Sequence, residues 1–266
     1  MSKGSFEGRI LFIKSYNRKM SSAKDWALTD IAISAKTSTH KNVLKLVGCC
    51  LETSIPTIVY EYAQNGVLAD RILLKIIRQI AHVTVYLNTT FSRPIIHTNI
   101  TSRNIFLDQH DVPKLADFSL CISIPEGEIH VVTDHVIGTL GFLCPSYLNT
   151  NTITEKTDVY SFSMVLLQIL TGQDYYGLHT LASKNIDMLR NNPLEDHEKL
   201  MDSLRNRALN EIVDPAILKE EGGASLEPQL QAVLDLALTC TEYYPEIRPT
   251  MVDVIKKLRQ IERSIA

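Results

Sequence analysis

A handful of polar positions carry most of the chemistry this chain could perform. Lys14 ends the short apolar run Ile10-Leu11-Phe12-Ile13, and His97 and Asn99 sit in Ile96-His97-Thr98-Asn99-Ile100-Thr101-Ser102-Arg103-Asn104. Asp117 lies in Lys114-Leu115-Ala116-Asp117-Phe118-Ser119. A carboxylate and a carboxamide, Asp117 and Asn104, carry side-chain oxygens that can satisfy local hydrogen bonds. Lys14 offers either a positive charge in a pocket or a strand-end lysine at a surface. Asn99 is neutral and cannot take a proton, so it is no general base. His97, which follows Ile95-Ile96, reads as a packed structural histidine rather than a general base. Cys49-Cys50 has no partners at zinc-site spacing and reads as structural thiols.

The elements that must hold these residues change character along the chain. Phe6–Arg9 has turn residues, and Ile10–Lys14, Val43–Val47 and Thr57–Tyr62 read as strands, the last entered through Pro56. Between them, residues 23–39 lack Gly and Pro and bring Trp26, Ile31 and Ala35 toward one helical face. Beyond Gly66 an amphipathic stripe of Leu73, Ile76, Ile77, Ile80, Val83 and Leu87 predicts a helix. A turn-rich middle, about 93–145, precedes a nearly all-apolar run, Val159–Leu170, that predicts a helix buried on every side and stopped by Gly172. Two more helices are expected over 226–240 and 251–265, the last facing inward through Met251, Val254, Ile255, Leu258 and Ile261. A small β-rich front lobe (1–62) and a larger helical back lobe (63–266), joined near 62–66, follow as an α+β, two-lobed fold.

Composition sets limits on function. The 266 residues are 45% hydrophobic and 21% charged, with 27 basic against 30 acidic side chains and a net charge of −3. That balance gives no electrostatic footprint for nucleic acid or an anionic membrane. Five scattered cysteines, with no apolar leader, fit reduced thiols in the cytoplasm. The longest apolar stretch, Phe162–Leu170, is far short of the roughly 20 residues that span a bilayer, so no membrane insertion is expected.

The catalytic-loop-like segment above, Lys114–Ser119, Gly138-Thr139-Leu140-Gly141-Phe142-Leu143-Cys144-Pro145-Ser146-Tyr147, Thr157-Asp158-Val159-Tyr160-Ser161-Phe162 and Arg248-Pro249-Thr250 together resemble, in order and spacing, the signature set of protein kinases. The wording is most similar to plant receptor-like kinases. The resemblance implies a bilobal kinase fold, truncated at its start. It places Lys14 at the nucleotide-binding lysine, Asn104 and Asp117 at the metal-binding pair, and Tyr60–Ala63 at the hinge, where backbone groups of Glu61 and Ala63 would take an adenine. Asp158 would tie the catalytic-loop backbone to the buried helix.

The same alignment exposes departures. Asn99 holds the catalytic-aspartate position, Thr98 that of the preceding arginine, and Thr101 that of the phosphate-facing lysine. Counting back nine residues from His40 puts Ile31 at the helix glutamate that should pair with Lys14. Asp30 is adjacent, but one residue rotates a helix by about 100° and should turn it elsewhere. Ser119 replaces the glycine after Asp117-Phe118, and Ser146 replaces a glutamate, so Arg248 must find another acceptor. None of the 11 glycines is spaced G-x-G, and the phosphate-covering loop has no counterpart.

These losses make the chain similar to plant receptor-like cytoplasmic pseudokinases related to the wall-associated kinases. Lys45–Glu52 and Ser123–Gly127 carry that narrower likeness. It implies a non-catalytic adaptor that pairs with a nucleotide-binding leucine-rich-repeat (NLR) immune receptor and with receptor-like cytoplasmic kinases or effector targets. Such an adaptor requires no cofactor. Two alternatives remain: a weak serine/threonine kinase using Mg-ATP, and a switch that binds ATP without turning it over. Ser123, Thr133 and Thr139, in the segment matching the activation loop, offer hydroxyls for modification by another enzyme.

Overall fold

The first two strands, β1 (Ser2–Phe6) and β2 (Arg9–Lys14), form a hairpin in which Phe6 faces Arg9 across a two-residue turn. Both turn residues, Glu7 (φ 49°) and Gly8 (φ 76°), are left-handed, the geometry that matches the twist of paired strands. β3 (Leu46–Cys50) and β4 (Thr57–Glu61) complete an antiparallel sheet ordered β1-β2-β4-β3. The third strand begins later than the Val43–Val47 expected from sequence. Val43 instead bridges to Leu115, and Leu44 N–H donates to the Leu115 carbonyl, so this stretch ties the front sheet to the back lobe. The structure, a computed structural model, describes residues 1–65, 74–174, 177–178, 193–219 and 223–263. Gly66 and Leu73 lie outside them.

One helix, α1 (Ala23–Thr37), packs beneath the sheet, and its buried face is Ala23, Ala27, Asp30, Ser34 and Thr37. This differs from the apolar face expected through Trp26, Ile31 and Ala35. The small and polar side is the inward one.

The back lobe is built on α2 (Leu74–Thr89), α3 (Pro145–Thr150) and α4 (Glu155–Thr171), followed by α5 (Pro193–Asn206), α6 (Leu209–Ile212), α7 (Pro215–Lys219), α8 (Gly223–Cys240) and α9 (Met251–Arg263). A Thr154–Thr157 capping box starts α4, and left-handed Gly172 ends it where a Cβ would strike the Asp214 carboxylate. Val159–Leu167 of α4 are all buried, as the apolar run requires, and α9 turns the five expected apolar residues inward. Short ribbons carry the polar loops: β5 (Ile95–Ile96) pairs with β8 (Ile122–Ser123), β6 (Ile105–Leu107) with β7 (Pro113–Leu115), and β9 (Val131–Val132) with β10 (Thr152–Ile153). No helix among the described residues is long and apolar enough to cross a membrane.

Candidate functional site

Alternation along β2 puts Phe12 and Lys14 on its inner face, opposite Tyr60 and Ile58 of β4. The Lys14 ammonium sits between two carboxylates, 2.5 Å from Asp30 Oδ2 and 2.6 Å from Asp117 Oδ1. The expectation that Asp30 faces away is therefore corrected. Asp30 is the helix partner of Lys14, and Ile31, rotated one position, packs half-buried against the apolar cluster of Leu44, Ile58 and Tyr60. The cause lies in the helix face. Ala23 and Ala27 precede Asp30 by seven and three residues, and these small side chains bring the backbone close enough for a short carboxylate to reach.

Asp30 is a hub. Oδ1 accepts from Ser34 Oγ, Tyr60 Oη and the Phe118 N–H, while Oδ2 accepts from Lys14 and from Tyr16 Oη at 2.7 Å. Its side chain is fully buried. Burial, and then the Asp30 charge, push the phenols of Tyr16 and Tyr60 far above their ordinary range, so both remain donors. The Tyr16 ring also lies 4.8 Å from the ammonium of Lys14. Neither Tyr16 nor Ser34 stands out in sequence. Their only signal is spacing, Ser34 one turn after Asp30 and Tyr16 two residues past Lys14.

Asp117 adopts a left-handed conformation (φ 66°) before the turn Phe118–Leu120, and its Oδ1 also accepts from Ser119 Oγ at 2.5 Å. Burial alone would raise its carboxyl, but Lys14 and the Ser119 hydroxyl hold it below its ordinary value. Phe118 is fully buried and meets His97 edge-on. In the loop before β6, Asn104 Nδ2 donates to the Asn99 carbonyl, and Asn99 Oδ1 accepts from Thr139 Oγ1 at 2.7 Å. Asn99, Thr98 and Thr101 are all buried. Among the described residues no group of three or more His, Cys, Asp or Glu side chains could hold a metal ion. Glu61 lies at the end of β4, where its Oε1 accepts from the Lys45 N–H, and Ala63 is buried just beyond it.

Asp158, wholly buried at the start of α4, accepts from the N–H groups of His97 and Thr98 at 2.8 Å, the structural role expected of it. Thr98 needs that tether. A β-branched residue at φ 63° is strained, and its hydroxyl adds a bond to the Leu120 carbonyl. Burial raises the Asp158 carboxyl to about 6 against the pull of those two N–H donors, and lowers the His97 imidazole to about 4. The two residues act in opposite directions on stability. Native His97 stays neutral while an unfolded histidine protonates below about 6.5, so its contribution is lost as pH falls from 6.5 toward 4. Native Asp158 keeps its proton up to about 6, so its contribution is lost as pH rises through the same window. In urea titrations, the stability gap between wild type and His97→Gln should widen with rising pH at up to about 1.4 kcal/mol per unit from pH 4 to 6.5. A pH-independent gap would refute the neutral, buried imidazole.

Arg248 is almost fully buried, with no carboxylate partner among the described residues. It donates to the backbone carbonyls of Glu242, Tyr243 and Lys156 and to Cys144 Sγ, and it stacks over the Tyr160 ring at 5.2 Å. This is the alternative set of acceptors that the serine at position 146 demanded.

A family model described as protein tyrosine and serine/threonine kinase matches residues 3–258. Among curated relatives from Arabidopsis thaliana, the "Non-functional pseudokinase ZRK2" is 36% identical over 98% of this chain and 75% of its own length. The "Non-functional pseudokinase ZED1" is 36% identical over 98% of this chain and 80% of its own. The "Serine/threonine-protein kinase ZRK1" is 34% identical over 99% and 78%. The ordered motifs, the two-lobed fold and these matches agree: the chain belongs to the protein tyrosine and serine/threonine kinase family, alongside plant pseudokinases.

Proposed function

We propose that this chain is a kinase-fold recognition module that does not transfer phosphate, an adaptor in plant immune signalling that joins an NLR receptor to receptor-like cytoplasmic kinases or effector targets in the cytoplasm. One observation carries the loss of catalysis. The position that should receive the proton of the attacking hydroxyl holds Asn99, a carboxamide with no basic site, and its oxygen accepts from Thr139. Thr101 adds no positive charge where the transferring group would need one. The adaptor role rests on likeness to plant pseudokinases, two of them named non-functional.

A weak serine/threonine kinase is the competing reading, favoured by the assembled Lys14–Asp30–Asp117 arrangement and by the relative named as a serine/threonine kinase. Purified protein incubated with Mg-ATP and a generic substrate, read by intact mass, decides between them. Silence is expected, and activity that Asp117→Ala abolishes would overturn the proposal. Asn99→Asp alone should also stay at the level of that control, because Thr101 is unchanged. A rise of about 100-fold or more, the scale of a restored general base, would show that Asn99 alone silences the chain. Affinity capture from plant cells tests the adaptor role. Recovery of neither a receptor-like kinase nor an NLR receptor under immune stimulation would remove it.

A further inference from the structure

The route a nucleotide base would take through this fold is filled with the chain's own side chains. A base hydrogen-bonded at the hinge and a phosphate at Lys14 require a flat slot running between them, roofed by β2 and floored by β6. Phe12 stands on the roof, two residues before Lys14 and on the same strand face. Phe106 stands on the floor, two residues after Asn104, in the strand that pairs with β7. Their ring centroids are 5.2 Å apart and tilted by 51°, which is direct aromatic contact. Tyr62, at the hinge, lies beside the slot with its ring 4.8 Å from that of Phe12, and the ammonium of Lys3 sits over the Tyr62 ring at 4.8 Å. Phe12 and Phe106 also pack on Leu44, Ile58, Tyr60, Ala63 and Ala116, so the rings belong to a built apolar cluster. A stacked heterocycle needs roughly 3.5 Å of clearance on each face, or about 7 Å between its flanking groups. The two phenyl rings leave no such gap.

We infer that Phe12 and Phe106 act as an internal plug that occupies the base slot, so that the wild-type chain excludes adenine nucleotides and the two lobes are joined by this aromatic contact in place of a ligand. Adenosine, ATP and the flat heterocycles that compete with ATP are the excluded class. The hinge backbone alone gives them nothing to stack between. The plug also accounts for how Lys14 is used, since its ammonium is shared by Asp30 and Asp117 with no phosphate needed to neutralise it. The inference rests on the family reading of the pocket and is separable from the absence of phosphotransfer.

Isothermal titration calorimetry with adenosine, and with ATP in the presence and absence of Mg2+, tests it on the wild type, Phe12→Ala and Phe106→Leu. The wild type should show no binding at about 5 mM ligand, where a thermal scan should likewise show no shift. Phe12→Ala should gain adenosine affinity by at least about tenfold, enough to raise its unfolding temperature in a ligand-dependent way. Phe106→Leu, which nearly conserves apolar volume, should gain less but measurably, and it carries the test if Phe12→Ala does not fold. Adenosine or ATP binding to the wild type would overturn the plug while leaving the non-catalytic proposal standing. Folded variants that gain no affinity would overturn it as well, since the rings would then not be what keeps the base out. Phosphotransfer by the wild type would remove both.

Discussion

Asp30→Ala should lower the stability of the chain by about 3–5 kcal/mol, the largest loss expected from any single change around Lys14. The carboxylate is fully buried and accepts from five groups on four parts of the chain: Lys14, Tyr16, Ser34, Tyr60 and the backbone of Phe118. Removing it leaves two phenols, a hydroxyl, an N–H and half of an ion pair without their acceptor. Each unsatisfied buried donor costs about 1–3 kcal/mol, although relaxation keeps the sum below a simple total. Asp30→Asn keeps the shape but loses the charge, and the amide nitrogen must face at least one donor, so about half the loss is expected. Tyr16→Phe removes one donor and should cost only about 1 kcal/mol. Urea unfolding at neutral pH gives the order Ala, Asn, Phe. If Asp30→Ala costs less than 1 kcal/mol, the hub is not holding α1 to the sheet. Asp30→Glu is the informative reverse. The longer side chain matches the residue the kinase family uses here, but in a helix that sits this close it overpacks, and a loss of about 1–3 kcal/mol is expected.

The hub also explains which parts of the molecule could be read from the residues. Apolar periodicity located α2 and α9, which bury apolar faces, and a nearly continuous apolar run located α4; the core positions of α9 match one for one. The same reasoning chose the wrong side of α1, because that helix buries a polar face. Ala23, Ala27, Asp30, Ser34 and Thr37 recur at spacings of three and four, the period of a buried stripe, but with the chemistry of an exposed one. A stripe is recognised by hydropathy only when burial is driven by hydropathy. Here it is driven by an ion pair whose other half, Lys14, lies sixteen residues earlier on a strand. The alignment to kinases then failed at this position for a related reason. It fixed one residue by counting, while the helix face admits a neighbouring shorter acid. Motif order did locate Asn99, Asn104, Asp117 and Asp158, whose backbone settings are local. It gave no indication that Phe12 and Phe106 meet, since their contact joins strands from different lobes.

Arg248→Ala should cost about 3–5 kcal/mol as well, and for a different physical reason: it takes the donors from three carbonyls and empties a large buried volume. In the family's usual arrangement a glutamate neutralises this guanidinium, but here the equivalent position is Ser146. The charge is buried at 1% exposure, and among the described residues it is balanced by dipoles: carbonyls of Glu242, Tyr243 and Lys156, the sulfur of Cys144 and the face of Tyr160. These partners come from the segment after α8, from α4 and from the start of α3, so one side chain holds three parts of the back lobe in register. The planar fork can reach several acceptors at once, and an ammonium cannot. Arg248→Lys should therefore lose about 2 kcal/mol despite keeping the charge, a split that separates geometry from electrostatics. The carboxylate can be put back. Ser146→Glu, two residues from the Cys144 that Arg248 already touches, supplies the missing counter-charge from a half-buried position. A double-mutant cycle between Ser146→Glu and Arg248→Lys should show coupling of about 1 kcal/mol or more in favour of the glutamate–arginine pair. Zero coupling would mean that the backbone carbonyls satisfy this charge completely, and that the serine was accepted here without any loss of stability.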